Sequence, residues 1–215
     1  MSVLVGKKFP SIEVDAMNEM GDTFKVNVLE EALKNKKKVV LFWYPKDFTY
    51  VCPTELHAFQ EALPEFDKRN TILIGASCDT PEVHFAWLST PKNNGGIEGV
   101  TYPILADANR NLANILKVLD TTNERYDEEL DAVQIDGSST PYRATFILDE
   151  DGMVFHQAMN FFPVGRNVNE FLRLIDAYTH NQKFGEVCPA NWEEGKDAMN
   201  ANAKATAEYL AAHAN

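Results

Sequence analysis

The most apolar stretch of the chain, Val39-Val40-Leu41-Phe42-Trp43-Tyr44, stops at Pro45. It falls far short of the roughly 20 apolar residues a membrane span needs, and it reads as a buried strand. A buried strand has to be covered, and the flanking sequence has the pattern to cover it. Before it, "LEEALKNKK" reads as a short helix. After it, "TELHAFQEAL" sets Leu56, Phe59 and Leu63 at helical spacing, with Pro64 ending or bending the helix.

The same alternation continues along the chain. "TILIGAS" is a second buried strand, and "DTPEVHFAWL" opens a helix with Pro81 in its first turn. "TYPILAD" reads as a third strand and "NRNLANILKVL" as a further helix. "IEVDAMNEMGDTFKVN" predicts an N-terminal β-hairpin turning near Met20 to Thr23, and "RATFILDEDGMVFHQAMN" a second hairpin turning at Asp151-Gly152. "NVNEFLRLIDAYTHN" gathers Phe171, Leu172, Ile175 and Tyr178 on one helix face. This order favours an α/β fold, a central β-sheet flanked by helices, as one domain over residues 1–183. Two segments stand apart: an acidic surface insertion over 121–140, and a C-terminal arm over 184–215 that ends in an Ala-rich helix.

Charge and cysteine count narrow the function. Twenty basic against 32 acidic residues leave a formal charge of −12, which disfavours nucleic acid and anionic membranes as partners. The N-terminus lacks the pattern of a secretory signal, so a cytoplasmic protein is expected. Cys52, Cys78 and Cys188 are too few and too far apart for a disulfide framework or a clustered zinc site. His57, His84, His156, His180 and His213 form no ligand pair, so no metal is expected. In a reducing compartment, a cysteine pair is redox-active sooner than structural.

Cys52 sits in "YPKDFTYVCPTEL". Pro53 has no N–H to give and is comfortable in a helix only in the first turn. Cys52 therefore belongs at the N-terminal turn of the helix carrying Leu56 and Phe59. Free N–H groups and the positive end of the macrodipole lie there and favour thiolate over thiol, the nucleophilic form. Thr49 is near enough for its hydroxyl to reach the sulfur or an approaching oxygen, and Pro45 stiffens the loop. The local residues alone leave a second reading open, a helix-start cysteine held by packing. No second cysteine completes a C-x-x-C pair.

Pro45-x-x-x-Thr49-x-x-Cys52 resembles the active-site motif of the peroxiredoxins. "DFTYVCPTEL" is similar to the typical two-cysteine group, which includes alkyl hydroperoxide reductase C and the thioredoxin peroxidases. The likeness continues in "HFAWLSTPKNNGGIEG", "YRATFILDEDG", "PVGRNVNEFLRL" and "EVCPANW". It implies a thioredoxin-like fold and a thiol peroxidase acting on hydrogen peroxide and alkyl hydroperoxides without metal, haem or flavin. Residue by residue it implies Cys52 as the peroxidatic cysteine, Arg143 as the active-site arginine, Thr49 as the hydroxyl that orients the peroxide, and Glu55 and Arg166 as the pair supporting Arg143. Cys188 matches the resolving cysteine, which in this group acts across a homodimer. Cys78 matches no motif and reads as a small core residue.

The resemblance further implies a thioredoxin or alkyl hydroperoxide reductase-type reductant and a ring of five dimers. Two rival roles stand beside it: a redox-switched holdase chaperone, an activity some members of the family show, and a peroxide-sensing relay. Gly95-Gly96-Ile97-Glu98 and Tyr209-Leu210 match only in part the loop and tail pair that make members sensitive to excess peroxide. Intermediate sensitivity is the expectation. The 121–140 insertion is the second departure, a surface decoration or a reductant contact.

Overall fold

The computed structural model describes residues 3–120 and 123–213, which fall into two compact units divided between Arg166 and Asn167. In chain order the strands are β1 (Glu13–Met17), β2 (Thr23–Asn27), β3 (Lys38–Trp43), β4 (Thr71–Ser77), β5 (Ile104–Ala106), β6 (Asn123–Asp127), β7 (Ala132–Asp136), β8 (Arg143–Leu148) and β9 (Val154–Asn160). Helices α1 (Val28–Asn35), α2 (Cys52–Glu61), α3 (Leu63–Lys68), α4 (Pro81–Leu88) and α5 (Asn111–Leu116) complete the first unit. The main sheet runs β2-β1-β5-β4-β3-β8-β9. Its centre, β3-β4-β5, is parallel, and antiparallel pairs flank it on both sides.

Every residue of β3 is buried, as its unbroken apolar run requires of a strand covered on both faces. Val39, Leu41 and Trp43 join one core with Ala32 of α1, Leu112 and Leu116 of α5, and Phe146 of β8. Phe42, on the other face by strand alternation, stacks on Phe59 of α2 with ring centroids 3.9 Å apart. That stack seats α2 against the sheet. The expected break at Pro64 is present: α2 stops at Glu61, and α3 restarts with Pro64 in its first turn.

Both expected hairpins form. Two other elements are shorter than their sequence windows. Only Ile104–Ala106 of "TYPILAD" is strand, and α5 ends at Leu116 because Lys117 turns into the left-handed region at φ 56°. The start of α5 is held from outside its own window, since the Asp107 carboxylate accepts from the N–H groups of Leu112 and Ala113 at 3.2 and 2.7 Å.

The 121–140 segment is more ordered than a solvated loop. Its described part is an antiparallel hairpin, β6–β7, pairing Tyr126 with Val133 and Glu124 with Ile135. Tyr126, Val133 and Ile135 share one face but remain 60 %, 60 % and 52 % exposed, so no burial pattern announced the strands. The second unit holds α6 (Val168–Phe184) and α7 (Ala203–Ala212). Asn167 caps the first and Asn202 the second through side-chain oxygens, and Gly185 ends α6 at φ 70°. Phe171, Leu172 and Ile175 are buried, as the amphipathic pattern of α6 requires. Among the described residues, no helix is long and apolar enough to cross a membrane.

Candidate active site

Cys52 is the first residue of α2 and Pro53 the second, as the proline requires. No side chain among the described residues caps this end, and the sulfur is wholly buried. Glu55 follows one turn later on the same side of the helix. Its carboxylate is the junction of the site. Arg143, the first residue of β8, donates from Nη1 to Glu55 Oε2 at 2.6 Å and to Cys52 Sγ at 3.4 Å. Arg143 Nε donates to the Phe162 carbonyl at 2.8 Å, which fixes the guanidinium plane.

Arg166 takes the remainder of the carboxylate. Its Nε meets Glu55 Oε1 at 2.8 Å and its Nη2 meets Oε2 at 3.0 Å, with the backbone N–H adding a bond at 2.9 Å. Nη1 reaches the carbonyls of Trp43 and Ala144 at 2.9 and 3.0 Å, tying the cluster to β3 and β8. The guanidinium also lies over the rings of Phe42 and Phe59, 5.2 and 5.6 Å from their centroids. Burial pushes Arg166 down from its ordinary value, and the Glu55 charge opposes that shift. Two buried cations thus share one buried carboxylate. The Cys52 sulfur lies against this surplus of buried positive charge.

A pocket of about 490 Å³ opens on Arg143 and is walled by Pro45, Thr49, Val51 and Phe162 among others. Thr49 differs in detail from the expectation. Its hydroxyl donates to the Lys46 carbonyl at 2.7 Å and not to the sulfur, because a carbonyl three residues back suits a Thr hydroxyl in a turn. The oxygen therefore enters the pocket wall as an acceptor.

Comparison with known proteins decides the family. The AhpC/TSA family pattern matches residues 5–157, and that of the C-terminal domain of 1-Cys peroxiredoxin matches 177–212. Alkyl hydroperoxide reductase C of Helicobacter pylori is 37 % identical over 97 % of this chain and 96 % of its own length. Peroxiredoxin-2 of Bos taurus is 37 % identical over the same shares, 97 % and 96 %. The crystal structure of the reduced 2-Cys peroxiredoxin of Plasmodium vivax covers 98 % of this chain and 100 % of its own, with a TM-score of 0.85 at 36 % identity. The chain belongs to the peroxiredoxin family. It is an oxidoreductase of the thiol-peroxidase class on a thioredoxin-like fold.

The other two cysteines of this peroxiredoxin are free thiols. Cys188, in the second unit, donates from Sγ to the Ala177 carbonyl at 3.4 Å. Burial pushes its thiol up, Arg173 opposes the shift and Glu186 adds to it. Cys78 follows β4 and packs beside the core; burial and the Asp107 charge push it up to about 12, so it stays a thiol at neutral pH. That fits a passive core residue.

Sequence reading missed a network beneath the Pro45–Val51 loop. Tyr44 donates to Asp47 Oδ1 at 2.7 Å, and His84 Nδ1 lies 2.7 Å from Asp47 Oδ2, with both side chains fully buried. His84 Nε2 donates to the Leu105 carbonyl at 3.2 Å, and Asp79 accepts from the Asp47 backbone N–H at 2.9 Å. Burial pushes the Asp47 carboxyl up, while the contact with His84 opposes it. The contact made by His57 is equally invisible in the sequence. It stands on α2 and donates from Nε2 to the Gly96 carbonyl at 3.1 Å, tying the Cys52 helix to the Gly95-Gly96 loop.

Arg166→Leu removes one partner of the buried cluster and leaves Glu55 under-paired. The expected cost is about 3–5 kcal/mol of folding stability, read from urea unfolding of the reduced protein. A loss below about 1 kcal/mol contradicts the burial and pairing described.

Proposed function

We propose that this peroxiredoxin reduces hydrogen peroxide and alkyl hydroperoxides through Cys52, with the Arg143 guanidinium 3.4 Å from the sulfur as the observation that carries the reading. The Cys52 thiolate attacks the peroxide oxygen that bears hydrogen. The S–O bond forms as the O–O bond breaks, the sulfur is oxidised to sulfenate, and the hydroperoxide proton leaves with the other oxygen as water or alcohol. The sulfenate then takes a proton from water. Arg143 donates to the oxygens as charge develops on them, and Thr49 accepts from the peroxide O–H. Glu55 and Arg166 position Arg143, and Pro45 shields the loop side of the pocket.

Cys188 of the partner subunit then attacks the sulfenic acid, forming a disulfide and releasing water. A thioredoxin or alkyl hydroperoxide reductase-type dithiol exchanges with that disulfide and regenerates both thiols. In this reading residues 1–183 form the peroxidase domain and 184–215 the arm that carries the resolving cysteine. The assembly is a homodimer, further associated as a ring of five dimers, in the cytoplasm. The buried Cys52 sulfur requires the first turn of α2 to open before the second sulfur can reach bonding distance.

Non-reducing electrophoresis after one equivalent of hydrogen peroxide tests the pair. A covalent dimer is expected in the wild type and in neither Cys52→Ser nor Cys188→Ser; a wild type that stays monomeric removes Cys188 from the cycle. Burial holds the Cys188 thiol above its ordinary value, so it is mostly protonated at neutral pH and gains thiolate only as pH rises; the dimer is expected to form faster at about pH 8.5 than at about pH 6.5.

Sensitivity to excess peroxide is expected to be intermediate, with the His57–Gly96 bond slowing the opening of α2. His57→Ala is expected to lower the sulfinic acid formed per turnover, measured by intact mass across a peroxide titration. Equal or greater sulfinic acid in the variant contradicts that role.

A further inference from the structure

We propose that Ser138 and Thr140, at the C-terminal end of the 121–140 insertion, form one wall of the peroxide pocket and thereby favour organic hydroperoxides over hydrogen peroxide; this rests on the peroxidase reading above. Ser138 and Thr140, near the C-terminal end of the insertion, line the pocket together with Tyr50, Val51, Phe162 and Pro163. The pocket reaches Arg143, whose guanidinium touches the sulfur. A volume of about 490 Å³ lies within the range of small-molecule sites, about 300–1,000 Å³. Hydrogen peroxide is close in size to water, whose share of liquid volume is roughly 30 Å³, and leaves most of this space unused. An alkyl or aryl tail fills it.

The wall is fixed in place. The Asp120 carboxylate accepts from the Ser138 hydroxyl at 3.1 Å and from the Tyr142 hydroxyl at 2.8 Å. Asp120 N–H donates to the Thr140 carbonyl at 2.9 Å, Ser139 N–H to the Asp120 carbonyl at 3.2 Å, and Arg110 Nε to the Ser139 carbonyl at 3.2 Å. The Tyr142 ring stacks on Phe162 at 5.0 Å between centroids, and the Phe162 carbonyl is the one that orients Arg143. The neck of the insertion and the arginine at the sulfur are thus braced by the same residue. The Ser138 hydroxyl donates to Asp120, and that of Thr140 to the Ser138 carbonyl at 3.1 Å. Both hydroxyl protons are used within the neck, so neither is left to compete with a tail. The Tyr50, Val51, Phe162 and Pro163 side of the pocket is apolar, which suits burial of hydrocarbon.

The test compares kcat/KM for cumene hydroperoxide and hydrogen peroxide, using the full chain with dithiothreitol as the dithiol. Thr140→Trp fills the tail space, and Asp120→Ala releases the neck. The ratio of cumene hydroperoxide to hydrogen peroxide is expected to fall roughly tenfold in Thr140→Trp, the scale of one or two methylenes in an apolar pocket, and to fall in the same direction in Asp120→Ala. Ser138→Leu, at the exposed rim, carries the same comparison should Thr140→Trp fail to fold. A ratio within about twofold of wild type in every folded variant overturns the inference while leaving the peroxidase reading intact. A wild type that consumes neither peroxide overturns both.

Discussion

One carboxylate, Glu55, holds two guanidinium groups inside a closed core, and the geometry around Cys52 follows from it. The pairing asks three separate stretches of chain to arrive together: the first turn of α2, the start of β8, and Arg166 beyond β9. Each arrives for a local reason. Pro53 fixes where α2 begins, the Phe42–Phe59 stack fixes its height over the sheet, and the antiparallel pairing of β8 with β3 fixes where Arg143 enters. Buried charges tolerate little displacement, because an unpaired one is costly. The arginine at the sulfur is therefore held to its position more tightly than a loop residue in solvent.

The same construction explains how a rigid site can still change shape. Beyond its first turn α2 is anchored by Phe59 in the core and by the Tyr102 hydroxyl donating to the Leu56 carbonyl at 2.8 Å. The N-terminal turn has a proline and no side-chain cap among the described residues. Few backbone bonds resist its opening, so the end of the helix that carries the sulfur is also the end that yields first. The His57 bond to the Gly96 carbonyl lies just beyond this turn.

Much of this was legible in the sequence, for identifiable reasons. The unbroken apolar run at Val39–Tyr44 located the central strand, and Cys52-Pro53 located a helix start, because both signals are local. The roles of Arg143, Glu55 and Arg166 came from resemblance, since residues 88 and 111 positions apart leave no periodic trace of their meeting. The Tyr44–Asp47–His84 network stayed hidden for the same cause: His84 on a helix reads as an ordinary polar residue until a partner 37 positions away is placed beside it. In the insertion, alternation was present, but without burial it could not be told from a solvated acidic loop. Thr49 shows the finer limit. Its place near Cys52 was legible from spacing, while the direction of its hydroxyl depends on a backbone carbonyl only coordinates locate.

The central claim is that Glu55 aims Arg143 at the reacting oxygens, and does more than sustain charge on sulfur. Glu55→Gln separates the two when the rate of Cys52 oxidation by hydrogen peroxide is compared with its rate of alkylation by iodoacetamide at the same pH. Alkylation needs the thiolate, but its charge develops on the departing iodide and not on an oxygen for Arg143 to stabilise. The account predicts that oxidation slows by about 100-fold or more, the scale of a lost transition-state donor, while alkylation slows far less. An equal loss in both rates would contradict it, and would reduce the cluster to a device for holding the thiolate.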